Sequence, residues 1–106
     1  MAKQMTLKNV TNYHERLIES LADQDEAMAY LKVALEEYES DGDHNAFMLA
    51  LRNVAEARGG VGSLAKKTEL DRTHLYRVLS SKGNPRLLTL DHILRAMGFK
   101  LSIDAA

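Results

Sequence analysis

The stretch that decides the fold runs from Gly62 to Asn84 and reads GSLAKKTELDRTHLYRVLSSKGN. Its pattern predicts two short helices joined by a tight corner at Glu69 and Leu70. Asp71 is expected to cap the second helix, because its side chain can accept a hydrogen bond from a free backbone N–H of the first turn. The second helix would then run from Arg72 to about Ser80.

This second helix has two chemically different faces. Leu75, Val78 and Leu79 recur at helical spacing and are expected to face the core. The opposite face carries polar and basic side chains, namely Arg72, Thr73, His74, Tyr76 and Arg77. Because arginine can form two hydrogen bonds with guanine, and hydroxyl and imidazole groups can donate or accept, this face is typical of a helix that reads the major groove of DNA. An ordinary amphipathic surface helix with solvated charges is the alternative.

Composition predicts one soluble globular domain. The chain has 106 residues, of which 27% are charged and 45% hydrophobic, and it contains no cysteine. These proportions are those of an ordinary folded protein, and the absence of cysteine fits a reducing cytoplasm. No apolar run approaches the roughly 20 residues that cross a bilayer. We therefore expect a cytoplasmic protein that does not enter a membrane.

Charge is distributed unevenly along the chain, although the net charge is only −1. Residues 1–60 hold 6 Lys/Arg against 11 Asp/Glu, whereas residues 61–106 hold 8 against 4. The segment from Glu15 to Asp43 alone contains 10 acids and 2 bases. This division favours two partners of opposite charge. Solvated helix faces that are simply rich in glutamate are the alternative explanation.

Two helices are predicted in the acidic segment. The first covers residues 12–22, and the second begins at Asp23, where Glu26 completes the spacing of a capping box, and ends near Ser40. Apolar side chains from Ala27 to Tyr38 recur at helical spacing in the second helix. Its last turn carries Glu36, Glu37 and Glu39. Acids at this position oppose the helix dipole by about 0.3–1 kcal/mol each, which favours a basic partner at this end.

Three further elements are predicted around the central stretch. Asp43 is expected to cap a third helix, which the glycine pair at 59 and 60 would end. Thr89 is expected to cap a last helix, with Gly98 as its terminating residue. The residues from Phe99 to Asp104 alternate apolar and polar side chains and predict a short strand. A lone strand would pair with a second copy in a homodimer or with the sheet edge of a partner.

Nothing in the pattern predicts catalysis. The four histidines, His14, His44, His74 and His92, fall on separate predicted elements without the spacing of metal ligands. Asp41 and Asp43 resemble the start of a calcium loop, but no acid completes its twelve-residue pattern. We therefore expect a protein that is not an enzyme and that binds no cofactor.

Several stretches of the chain together resemble the probable addiction-module antidote family. They include residues 46–60, 83–85 and 93–98, and the pairs Leu64-Ala65 and Leu75-Tyr76. The resemblance extends from Tyr13 to Ile103. It implies a HigA-like antitoxin with a helix-turn-helix of the Cro/repressor type, encoded beside a small basic toxin of the RelE-like superfamily. The implied function is to sequester that toxin and to repress the operon of the module.

The resemblance and the pattern together predict two sets of binding residues. The predicted DNA-binding residues are Ser63, Lys66, Arg72, Thr73, His74, Tyr76, Arg77 and Lys82. The predicted toxin-binding residues are Met28, Lys32, Glu36, Glu37 and Glu39. A stand-alone helix-turn-helix repressor of phage or mobile-element type is the alternative function. The acidic helices favour the antitoxin, because a minimal repressor would not need them.

The expected fold is mainly α, a single domain of five to six helices with a helix-turn-helix, an N-terminal helical extension and a short C-terminal strand. Residues 1–42 would form the extension that binds toxin, and residues 43–106 the part that binds DNA. The chain departs from the family pattern at two positions. Glu69 replaces the glycine that is common in the corner, which would cost roughly 1–2 kcal/mol if its backbone were left-handed. Gly62 replaces the usual Ser or Thr, which weakens the helix start unless Ser63 supplies the cap.

Overall fold

The computed structural model describes residues 12–80 and 82–106, which contain six α-helices and no β-strand. The helices are α1 (residues 12–20), α2 (Gln24–Asp41), α3 (Asn45–Ala57), α4 (Gly60–Thr68), α5 (Arg72–Val78) and α6 (Leu87–Ala96). The predicted helical class is confirmed in this part of the chain. Residues 1–11 of the predicted N-terminal extension lie outside the described residues.

α3 lies at the centre of the packing. Leu51 and Val54 have no exposed surface, and Met48, Ala50 and Ala55 are 2% exposed. α2 and α4 both pack against α3, and α5 and α6 both pack against α4. One hydrophobic cluster contains buried residues of every helix from α2 to α6, together with Leu21 before α2. Because the helices share this core, residues 12–80 and 82–106 form a single domain.

α2 begins and ends as the local sequence predicts. The Asp23 side chain accepts a hydrogen bond from the backbone N–H of Glu26 at 3.0 Å, which caps the first turn. At the other end Gly42 is left-handed (φ 75°), and its N–H donates to the carbonyl oxygen of Tyr38 at 2.7 Å. Glycine adopts this conformation without a steric penalty, so the helix stops there.

The predicted starts of α3 and α6 are wrong by one and three residues, respectively. α6 begins at Leu87 rather than after Thr89, because Arg86 is already the extended residue before the helix (φ −67°, ψ 157°). Leu87 and Leu88 form the first turn but face solvent, so the periodicity of core-facing residues did not reveal them. α3 is preceded by His44, while the Asp43 carboxylate accepts from the N–H of Asn45 at 3.0 Å.

The predicted C-terminal strand is wrong, since residues 99–106 have no regular secondary structure. α6 ends as predicted at Gly98 (φ 89°), where Phe99 N–H donates to the carbonyl of Leu94 at 2.8 Å. Phe99 packs against the core, but Ile103 is 98% exposed. Alternating side chains describe a strand only when a neighbouring strand takes up its backbone hydrogen bonds. None of the described residues supplies one.

Candidate functional site

The corner between α4 and α5 is closed by the hydroxyl group of Thr68. This hydroxyl donates to the carbonyl oxygen of Leu64 at 2.8 Å and accepts from the N–H of Leu70 at 3.3 Å. Glu69, between them, is left-handed (φ 59°, ψ 18°), and among the described residues it is the one non-glycine with positive φ. A β-carbon is unfavourable in this conformation, so the corner carries local backbone strain.

α5 is held at its start and along one face. The Asp71 carboxylate accepts from the N–H of His74 at 3.2 Å, which confirms the predicted cap. Leu75 and Leu79 are buried as predicted, although the helix ends at Val78, two residues before the predicted end. All five predicted DNA-binding residues of α5, Arg72, Thr73, His74, Tyr76 and Arg77, are exposed. One edge of a short helix therefore presents the predicted donors and acceptors to solvent.

Arg72 is positioned by contacts on two sides. Its guanidinium carbon lies 5.8 Å from the centre of the Tyr76 ring, within the range of a cation–π interaction. On the other side it faces α4, where a β-carbon added to Gly62 would lie 3.5 Å from that guanidinium carbon. The guanidinium thus lies against the first turns of α4, at a distance where a β-carbon on residue 62 would make an ordinary van der Waals contact. Sequence reasoning missed this contact, because it depends on two residues from different helices.

The expected role of Gly62 and Ser63 at the start of α4 is wrong. α4 begins at Gly60, and the residue before it, Gly59, is left-handed (φ 102°). Gly62 and Ser63 therefore lie inside the first turns of the helix. Ser63 is half-buried, whereas the predicted DNA-binding residues Lys66 and Lys82 are exposed. Ser63 is accordingly the least accessible member of the predicted DNA-binding set.

The turn after α5 depends on Gly83. Its N–H donates to the carbonyl oxygen of Ser80 at 2.8 Å, and the residue is buried. A β-carbon at this position would overlap the carbonyl oxygen of Val78. Any other residue would therefore displace the C-terminal end of α5. The turn itself was predicted from Gly83 and Pro85. The close approach of the Gly83 backbone to the end of α5 could not be predicted from the sequence.

The predicted toxin-binding residues, Met28, Lys32, Glu36, Glu37 and Glu39, are all exposed on α2. Four of them are spaced so that they lie along one side of the helix, whereas Glu37 is rotated about 100° from Glu36 and lies on another side. The helix contains six acids and one lysine, and its last turn has no basic residue. The predicted set is thus an acidic surface that extends around the helix, with Met28 as its apolar member.

Sequence reasoning missed several apolar side chains that the structure leaves exposed near the acidic helix. Val33 and Leu49 are each 54% exposed, and Leu35 and Tyr38 are 38% and 42% exposed. Leu35 and Tyr38 continue the apolar pattern of α2, which predicts burial. They are exposed because the last turns of α2 extend beyond its buried contacts, which end at Ala34. Only the position of the neighbouring helices reveals this.

Comparison with known proteins gives the class of this chain. The sequence profile described as "Probable addiction module antidote protein" matches residues 11–105. Neither the curated proteins nor the solved structures contain a significant match. The class that these observations define is the antitoxin of an addiction module, a small helical protein whose partner is a toxin. The chain belongs to the probable addiction module antidote protein family.

None of the described helices combines the length and the apolar character that a membrane-spanning segment requires.

Proposed function

We propose that this protein is a HigA-like antitoxin of a type II toxin–antitoxin module, with two activities. Its N-terminal helices sequester a RelE-like toxin, and α4 with α5 bind operator DNA to repress its own operon in the cytoplasm. Both activities are binding reactions, and we propose no catalytic step. The observation that carries the DNA-binding half of the proposal is the exposed face of α5 with Arg72 held between Gly62 and Tyr76.

In this proposal α4 and α5 are a helix-turn-helix of the Cro/repressor type, and α5 is the recognition helix. Its buried residues anchor it to the core, while its outward side chains meet the edges of the bases. Arg72 and Arg77 are the candidates for guanine contacts, and Lys66 and Lys82 are the candidates for phosphate contacts. The excess of 8 Lys/Arg over 4 Asp/Glu in residues 61–106 attracts the DNA backbone.

The toxin-binding half of the proposal rests on the acidic surface of α2. A toxin that acts on RNA needs a basic surface, and six acids on one helix attract such a surface over distances of about a Debye length. Exposed apolar side chains beside these acids provide contact area once the partners meet. Met28, Lys32, Glu36, Glu37 and Glu39 remain the predicted contact residues.

We also propose that the antitoxin binds its operator as a two-fold symmetric homodimer. Each chain supplies one α5, and a dimer would place its two copies about 34 Å apart, one turn of DNA, over a palindromic site. Light scattering at tens of micromolar, with and without a palindromic operator duplex, measures the mass directly. A protein that stays monomeric under both conditions would contradict the dimer.

Co-expression with the adjacent reading frame tests the function as a whole. We expect that frame to encode a basic chain that arrests growth alone, that is neutralised by this protein, and that co-purifies with it. We also expect the purified protein to shift the DNA upstream of the module in a gel. A protein that shifts the DNA but neither rescues growth nor co-purifies with the neighbouring product would be a stand-alone repressor.

A further inference from the structure

α2 and α3 form an antiparallel pair. The three residues between them, 42–44, join helices that pack along their length, so the two must run in opposite directions. The Asn53 amide donates a hydrogen bond to the Tyr30 hydroxyl at 2.9 Å, which bridges the pair on one side. We call the surface along the two helices on this side the α2–α3 seam.

α1 lies at one end of the seam. His14 Nε2 lies 3.4 Å from the Glu56 carboxylate near the C-terminal end of α3. Leu17 of α1 packs against the core, and Leu21, the first residue after α1, is 1% exposed. The His14 contact places α1 beside α3 at the end of the seam that is farthest from the α2–α3 loop.

The other half of the seam, toward the loop, is open and apolar. Val33 follows Tyr30 by three residues, and Leu49 precedes Asn53 by four. Because the helices are antiparallel, Val33 and Leu49 both lie nearer the α2–α3 loop than Tyr30 and Asn53. Residues three or four apart lie on the same side of a helix, so Val33 and Leu49 are on the seam side. Val33 therefore lies on the α2 side of the open half and Leu49 on the α3 side. Each is 54% exposed.

The charges around this open half are mainly acidic. Glu37 follows Val33 by four residues and Asp41 follows Glu37 by four, so both lie on this side of α2, whereas Arg52, three residues after Leu49, is a basic neighbour on α3. The one lysine of α2, Lys32, is rotated about 100° away from Val33. An apolar pair with acidic neighbours is complementary to a basic protein surface that projects an apolar side chain. A second copy of this chain fits less well, because two-fold symmetry would bring equivalent acids together.

We infer that the open half of the α2–α3 seam is the anchor site for the basic toxin. In this site Val33 and Leu49 contact an apolar side chain of the toxin. This inference rests on the proposed function and specifies the surface that it uses. Val33 is rotated about 140° around α2 from Met28, so the seam and the Met28 side of the helix are separate surfaces. Substitutions can therefore test them independently.

Two double variants test the seam against the purified product of the adjacent reading frame. V33A/L49A removes the apolar contact area while keeping good helix formers, and V33K/L49K also introduces repulsion toward a basic partner. Leu88→Lys, at a position 74% exposed on α6, is the matched control for an exposed apolar-to-lysine change. Thermal melts and operator binding show that each variant is folded.

We expect V33A/L49A to weaken toxin binding at least about tenfold, as truncation of a central contact does, and V33K/L49K to weaken it further. Leu88→Lys should bind the toxin like the wild type, and all variants should keep operator affinity. If the wild type binds toxin and both double variants bind equally well, the seam is not the anchor, although the antitoxin function stands. If the wild type binds no toxin, the proposed function fails and the seam assignment fails with it.

The seam could instead bind a second copy of this chain, and light scattering distinguishes that result from toxin binding. If the wild type is a dimer in light scattering and V33K/L49K is a monomer while Leu88→Lys remains dimeric, the seam binds a second copy. That result would overturn its assignment to the toxin.

Discussion

The two surfaces proposed to bind partners are constructed in opposite ways. Around α5 the backbone is fixed by the Thr68 hydroxyl and the Asp71 cap, and the Arg72 guanidinium lies over the Tyr76 ring. On α2 the acids near the C-terminal end, Glu36, Glu37 and Glu39, make no side-chain hydrogen bond or ion pair with any of the described residues. The α5 surface is therefore built on a fixed backbone, whereas the acidic side chains of α2 are unpaired and solvated.

This difference indicates different recognition tasks. Base edges in DNA are distinguished by donors and acceptors at defined positions, so a reader benefits from side chains that are already placed. Unpaired acids place no such geometric demand on a partner. They raise the rate of encounter with a basic surface, and nearby apolar side chains then provide lasting contact. Substitutions can test this contrast between the two surfaces, and truncation of the shared core has the largest expected effect.

Leu51→Ala should destabilise both surfaces together. Leu51 is completely buried in α3, between the helix that carries the acids and the helices that carry the DNA reader. Truncating a buried leucine costs about 2–5 kcal/mol of the free energy of unfolding. Urea denaturation followed by circular dichroism, with hydrogen exchange of α2 and α5, measures the loss. Unfolding of one helix at a concentration where the other persists would contradict a shared core.

Arg72→Ala and Arg77→Ala should weaken operator binding. We expect about 1–3 kcal/mol and relaxed sequence preference from at least one of them, because a bidentate contact with guanine would be lost. Arg95→Ala is the matched control, since Arg95 is exposed on α6 and paired with Asp91 at 3.0 Å. Anisotropy titrations with operator and scrambled DNA measure the effect. Wild-type affinity in both α5 variants would remove this helix from DNA recognition.

Glu69→Gly should stabilise the fold. The left-handed backbone of Glu69 is strained by about 1–2 kcal/mol, and the greater unfolded-state freedom of glycine offsets about 0.4–1 kcal/mol of the relief. The net gain should be about 0.5–1 kcal/mol, measured as a higher melting temperature. Glu69→Ala is the control, because it removes the charge but keeps the β-carbon. A melting temperature that rises equally for alanine would assign the effect to charge rather than to the backbone.

Replacing Glu36, Glu37 and Glu39 by glutamine should have the smallest effect. We expect slower association with the toxin, severalfold at low salt and much less at high salt, because salt screens the attraction between separated charges. Dissociation and operator binding should change little. Stopped-flow mixing at two ionic strengths measures both rates. An association rate that is unchanged at low salt would mean that these acids do not steer the toxin.

Local rules predicted the features that depend on a few neighbouring residues. The Asp23 and Asp71 caps, and the glycine that ends α6, involve hydrogen bonds that span no more than five residues. The inward face of α5 also follows from spacing alone, because side chains three and four residues apart share one side of a helix. These features therefore appear in the structure where the sequence predicts them.

Tertiary structure decided which surfaces are available and which elements form at all. The predicted strand after Gly98 failed because a strand requires a second backbone that the pattern cannot supply. Gly62 lies beside the guanidinium of Arg72, a residue of the next helix, which no local pattern predicts. Val33 and Leu49 are exposed, and the α1 contact lies at the other end of the seam. The sequence by itself determined the helical class, the caps at Asp23 and Asp71 and the opposite charges of the two halves of the chain, since these depend on residue type and short spacing. The arrangement of the helices around α3 decided which apolar side chains remain in water, because burial depends on where distant parts of the chain end.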